Sequence, residues 1–114
     1  GVGFFEAGNF YPDFIMWIIK GKKQHITFVD PKGLRNIGEN DPKISFYQTI
    51  KEIEKRLGDS NITLNSFIVS NTPAVIVESL WGLPKEDAKM KNILFQDEDN
   101  DFYIEEMLEK IIAL

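Results

Sequence analysis

Two short stretches of this chain place acids and a lysine where phosphoryl chemistry would need them. The first is Tyr11-Pro12-Asp13; the second is FVDPKG, in which Phe28 and Val29 lead into Asp30-Pro31-Lys32-Gly33. In a strand, residues i and i+2 share a face, so Asp30 and Lys32 point one way and Pro31 the other. Apolar residues from Asp13 to Lys20 and again from His25 to Asp30, separated by Gly21-Lys22-Lys23, spell a β-hairpin. Antiparallel pairing then brings Asp13 and Asp30 to the same end. Two carboxylates held close repel each other, and a bound divalent cation removes that cost. Mg²⁺ takes one or two carboxylates and keeps several waters. There it polarises a phosphoryl oxygen and activates a water. Lys32, beside Asp30, would orient that water or stabilise charge on the phosphorane. The plainer reading of Asp30 and Lys32 is a surface ion pair, worth roughly 0–1 kcal/mol.

The same tripeptide returns as Asp41-Pro42-Lys43. Here it stands before Ile44, Tyr47, Ile50, Ile53 and Leu57, a stripe at helical spacing. Asp41 as cap, Pro42 at the first helical position and Gly58 past the end account for it as a helix start over 42–57. Lys43 is then a solvated first-turn residue.

Composition narrows the chemistry further. Cysteine is absent and His25 is the one histidine, which excludes disulfides, thiolate zinc, a Cys nucleophile and His-rich metal sites. Any metal must be held by oxygen, favouring Mg²⁺, Mn²⁺ or Ca²⁺. A hydrophobic content of 43% with 27% charged residues over 114 positions describes one soluble globular domain. The net charge of −5 opposes simple nucleic-acid binding, but its distribution is uneven. Residues 20–43 carry six positive side chains against three acids, whereas residues 44–114 carry seven against thirteen. Lys20, Lys22, Lys23 and Arg35 are therefore the candidate DNA-phosphate contacts; a solvated hairpin tip would also carry lysines. No apolar run is long enough to span a bilayer and no signal peptide is visible, so no membrane partner and a cytoplasmic location are expected. The opening Gly-Val-Gly-Phe-Phe, without Met, is the start expected of a piece of something larger.

Around these residues the pattern gives a strand at Gly3 to Glu6, a turn at Ala7-Gly8-Asn9, the hairpin, a loop at 33–40 and the helix at 42–57. A strand at Ile62 to Ser70 follows. Residues 74–92 are ambiguous, with a short helix at Pro84 to Lys91. A small strand at Ile93 to Phe95 precedes a last helix from Phe102 to Ala113, with Tyr103, Ile104, Met107, Leu108, Ile111 and Ile112 inward. This order places the chain in the α/β class, a mixed β-sheet flanked by helices. Asp97 to Asp101 alternates acids like a calcium loop but lacks the Gly and Glu that an EF-hand requires, and reads better as an acidic lead into a helix. His25 reads as a partly exposed strand residue. Ser70-Asn71-Thr72 reads as a turn before Pro73, with phosphate binding as the other possibility. No Gly-rich phosphate loop is present.

Pro12-Asp13, sixteen intervening residues and then Asp30-Pro31-Lys32 resemble the PD-(D/E)XK nuclease motif. The following helix and strand match that family's order over residues 1–72. Over the whole chain, GVGFFEAGNFYPDFIMWI, ITFVDPKGLRN and LNSFIVSNTP resemble the C-terminal nuclease domain of restriction-enzyme R subunits. These are of the DEAD/DEAH helicase type related to type III Res subunits. The resemblance implies a restriction-endonuclease-like core over 1–114 and a Mg²⁺-dependent DNA endonuclease in which Mn²⁺ substitutes. It also implies ATP use confined to helicase domains outside this stretch, and a methyltransferase subunit as partner. Asp13 and Asp30 become metal ligands, the Pro31 carbonyl a further ligand, and Lys32 the catalytic lysine. The family core opens with a helix that often supplies a glutamate; no such helix precedes Gly3, and Glu6 is the residue placed to substitute, or else a solvated turn acid. The competing class is a non-catalytic module that keeps the fold for docking a subunit or holding DNA.

Overall fold

A two-residue turn, Gly21-Lys22, sets the register from which the site follows. Gly21 has φ +63°, a conformation that glycine adopts without strain, and it closes the hairpin with Lys20 opposite Lys23. The computed structural model describes residues 13–96 and 102–112. In chain order these form β1 Phe14–Lys20, β2 Lys23–Lys32, α1 Phe46–Leu57, β3 Ile62–Ser70 and α2 Ala74–Trp81. Then come α3 Lys85–Met90, β4 Ile93–Phe95 and α4 Phe102–Ile112. The expected strand at Gly3 to Glu6 and the acidic run from Asp97 lie outside the described residues.

The sheet order is β1-β2-β3-β4, with β1 antiparallel to β2 and β2, β3 and β4 mutually parallel. The α/β architecture with a mixed sheet and flanking helices is therefore as expected. Alternation divides the strands between two faces. One face carries Phe28 and Leu64, packed against Phe46, Ile50 and Ile53 of α1. Farther along it, Ile68, Ile93 and Phe95 pack with Leu34, Ile44, Ala74, Val77 and Ala88. The other face carries Val29, Phe67, Val69 and Leu94 beneath Met107 and Ile111 of α4. Each fully buried Leu, Ile or Phe of this kind contributes about 1.5–3 kcal/mol relative to exposure. Lys110 pins α4 in place: its ammonium donates to Asn92 Oδ1 at 3.1 Å and to the Lys89 carbonyl. Burial lowers the Lys110 pKa, and Glu106 beside it acts in the opposite sense.

Three local expectations need correction, and one ambiguous stretch is resolved. The helix begins at Phe46, because Asp41 to Ser45 first close a separate turn in which the Ile44 amide donates to the Asp41 carbonyl. Residues 74–81 are helical despite the β-branched run Val75-Ile76-Val77; burial of Ala74 and Val77 outweighs local propensity. His25 is buried, sharing a 2.6 Å hydrogen bond between Nδ1 and Thr63 Oγ1, because its side of β2 faces the α4 layer. In α4, Ile104 and Ile112 are exposed, so the inward stripe is narrower than expected. Among the described residues, no helix is long and apolar enough to cross a membrane.

Candidate active site

Parallel strands β2, β3 and β4 all end at the same side of the sheet, and antiparallel β1 begins there. Asp30 and Lys32, Ser70, and Asp13 thus meet at one edge. In open α/β sheets this carboxyl end is where ligands bind. The ladder ends with Phe14 opposite Val29, and Asp13, in the bend that precedes β1, lies at the same end of the hairpin as Asp30. Alternation along β2 puts Asp30 and Lys32 with Phe28 on the α1 side of the sheet. Asp13 is exposed, while Asp30 is buried at the base.

Lys32 turns back onto Asp30. Its Nζ lies 3.0 Å from Asp30 Oδ2, with side-chain exposures of only 16% and 10% for lysine and aspartate. This is the least exposed ion pair among the described residues. The Lys32 carbonyl accepts from the Asn71 amide on the β3 side at 3.1 Å. Alternation along the strand therefore turns the Pro31 carbonyl toward the opposite edge, the one bordered by β1 and Asp13.

The turn that follows is held from β3. Ser70 Oγ donates to the Thr72 carbonyl at 2.8 Å and accepts from the Thr72 amide at 3.0 Å. Thr72 Oγ1 accepts from the Leu34 amide at 2.9 Å. Ser70-Asn71-Thr72 is thus the turn expected from sequence, and it positions the chain leaving Lys32. Gly33 makes this crossing close: a Cβ there would stand 3.2 Å from Asn71 Oδ1, and that side chain would have to shift by a few tenths of an ångström. Beyond the expected turn, the Thr72 hydroxyl ties Leu34 to the end of β3; its signal in the sequence is a hydroxyl just after a buried strand and before Pro73.

The basic residues divide. Arg35 is exposed, three positions past Lys32. Lys20, Lys22 and Lys23 are also exposed, but at the hairpin's other end, about 23 Å from Asp30 at ~3.3 Å of rise per residue. The positive segment seen in sequence is therefore two separate groups. Glu6 lies outside the described residues. Among the described residues, no three His, Cys, Asp or Glu side chains gather as a metal-holding group. The oxygen donors expected from sequence, Asp13, Asp30 and the Pro31 carbonyl, lie toward the same end of the hairpin. Two carboxylates suit the hard, water-rich shell of Mg²⁺.

A cavity of about 490 Å³ opens at the same sheet end, lined by Phe14, Met16, Val29, Pro31, Tyr103 and Met107. It lies on the α4 face, opposite Asp30 and Lys32, and its lining is almost wholly apolar. The charged edge, not this cavity, has the groups for phosphoryl chemistry. Comparison with known proteins gave no matching family model, no matching curated protein and no matching solved structure.

Proposed function

We propose that this chain is a metal-dependent DNA-cleaving domain of the restriction-endonuclease-like type, hydrolysing phosphodiester bonds at the Asp13–Asp30–Lys32 edge. The observation that supports this reading is the Lys32–Asp30 pair, 3.0 Å apart and largely withdrawn from water at the end of β2, the hairpin end at which Asp13 precedes β1. Asp13, Asp30 and the Pro31 carbonyl would hold Mg²⁺, with Mn²⁺ as a substitute. When bound, the ion supplies a Lewis acid for the phosphoryl oxygens and lowers the pKa of attacking water. Asp30 holds the Lys32 ammonium at this edge before the ion arrives, and in the loaded site Lys32 donates hydrogen bonds to charge that grows on the phosphate. Arg35 contacts phosphates near the cut. Lys20, Lys22 and Lys23 engage the backbone about seven base pairs away, at ~3.4 Å per pair. The ATP-driven helicase and the methyltransferase partner implied by the resemblance belong to the proposed larger enzyme.

A nicking assay on supercoiled plasmid tests the reading. Native chain in MgCl₂ should nick DNA, and chelation or Asp30→Asn should stop it. Equal nicking by Asp30→Asn, or nicking that survives chelation, would overturn the assignment. The docking-module alternative draws support from β1, where Ile15, Trp17 and Ile19 present large exposed apolar side chains along one face.

A further inference from the structure

Lys32 spans only two residues to reach Asp30, and both side chains are largely withdrawn from water. In that position the ammonium neutralises the buried carboxylate, which would otherwise be costly to keep charged away from solvent. Asp13, across the hairpin, is exposed and has no such enclosure. The two acids of the edge are therefore unequal before any ligand arrives: one carries a built-in cation and the other faces solvent.

We propose that Lys32 is the resting counterion of the site, holding the cation position at Asp30 until a divalent ion displaces its charge. This rests on the nuclease reading above and adds a regulatory consequence to it. A divalent cation drawn to Asp13 and Asp30 meets a positive group at Asp30 Oδ2, so binding is weakened by like-charge repulsion. Once the ion neutralises Asp30, Lys32 loses its strongest electrostatic attachment and is free to turn toward an incoming phosphate. One residue thus pairs with the buried acid when the site is empty and serves the substrate when it is filled. Metal uptake and release of the lysine become a single exchange.

The expectation is counterintuitive: removing the lysine charge should improve metal binding. Isothermal titration with MgCl₂ on native chain, Lys32→Gln, Lys32→Arg and Asp30→Asn separates the possibilities. Lys32→Gln should bind roughly fivefold tighter than native, the scale of one modest ion-pair contribution. Lys32→Arg keeps the charge and should stay near native, and Asp30→Asn should not bind. A readout independent of any variant is the Lys32 side-chain Cε signal in native protein, which should shift as Mg²⁺ is added while that of Lys43 stays in place. Native and Lys32→Gln binding alike, or a Lys32 signal unmoved by bound Mg²⁺, would overturn the exchange while leaving the nuclease reading intact. Absence of binding in both native and Lys32→Gln would remove the metal site, and with it both conclusions.

Discussion

In Asp30-Pro31-Lys32 the carboxylate is buried and spends one oxygen on a lysine side chain 3.0 Å away. In Asp41-Pro42-Lys43 the carboxylate accepts instead from the Lys43 backbone amide at 2.9 Å, and the lysine side chain stays exposed. The letters are the same; the backbone differs. Extended backbone at the end of β2 sends Asp30 and Lys32 to one side of the sheet, where side chain meets side chain. Turn backbone at 41–45 folds the aspartate over its own amides, the local bonding that suits Asp to turns. The following residue differs in kind as well. Gly33 lets the chain pass Asn71 closely, whereas Ile44 is driven into the core beside Leu34, Ile68 and Ala74. A short motif thus gains chemical meaning only from the dihedrals that hold it.

The contrast can be broken experimentally, beginning with the largest effect on folding. If the second copy serves to deliver Ile44 to the core, Ile44→Ala should cost about 3 kcal/mol, the usual range for a large-to-small change at a buried site. Urea denaturation measures this, and a loss below roughly 1 kcal/mol would show that the turn anchors nothing important. Asp41→Ala removes the turn acceptor and should cost about 1 kcal/mol, with plasmid nicking per folded molecule unchanged. Reduced nicking at full folding would place Asp41 in the chemistry and erase the distinction. Lys43→Ala should be the mildest, shifting stability by no more than roughly 0.5 kcal/mol in a thermal melt.

The hairpin that carries the candidate residues was legible because turn chemistry propagates along a strand. Gly21-Lys22 sets Lys20 opposite Lys23, and counting outward reaches Phe14 opposite Val29, which puts Asp13 and Asp30 at the same end of the hairpin. The strand at Ile62–Ser70 and the small strand at Ile93–Phe95 were equally plain from their apolar runs. Charge placement was less so. A window from 20 to 43 adds Lys20, Lys22 and Lys23 to Lys32 and Arg35, although a ten-residue strand holds the two groups apart. Helix α2 was hidden because Val75-Ile76-Val77 favours strand locally. Its punctuation, Pro73 before and Gly82 with φ +67° after, was visible and carried the better signal. Burial of His25 could not be read from β2 alone, since it depends on which face α4 covers.

The central claim is that the fold gives catalysis to one tripeptide and architecture to the other. Its most direct test is the rate of Mg²⁺-dependent plasmid nicking by Lys32→Ala and Lys43→Ala, measured side by side with their melting temperatures. Lys32→Ala should lose about a hundredfold or more in rate while remaining folded, the scale of losing one charged donor to a transition state. Lys43→Ala should nick like the native chain. Loss of nicking in Lys43→Ala with retention in Lys32→Ala would contradict the claim.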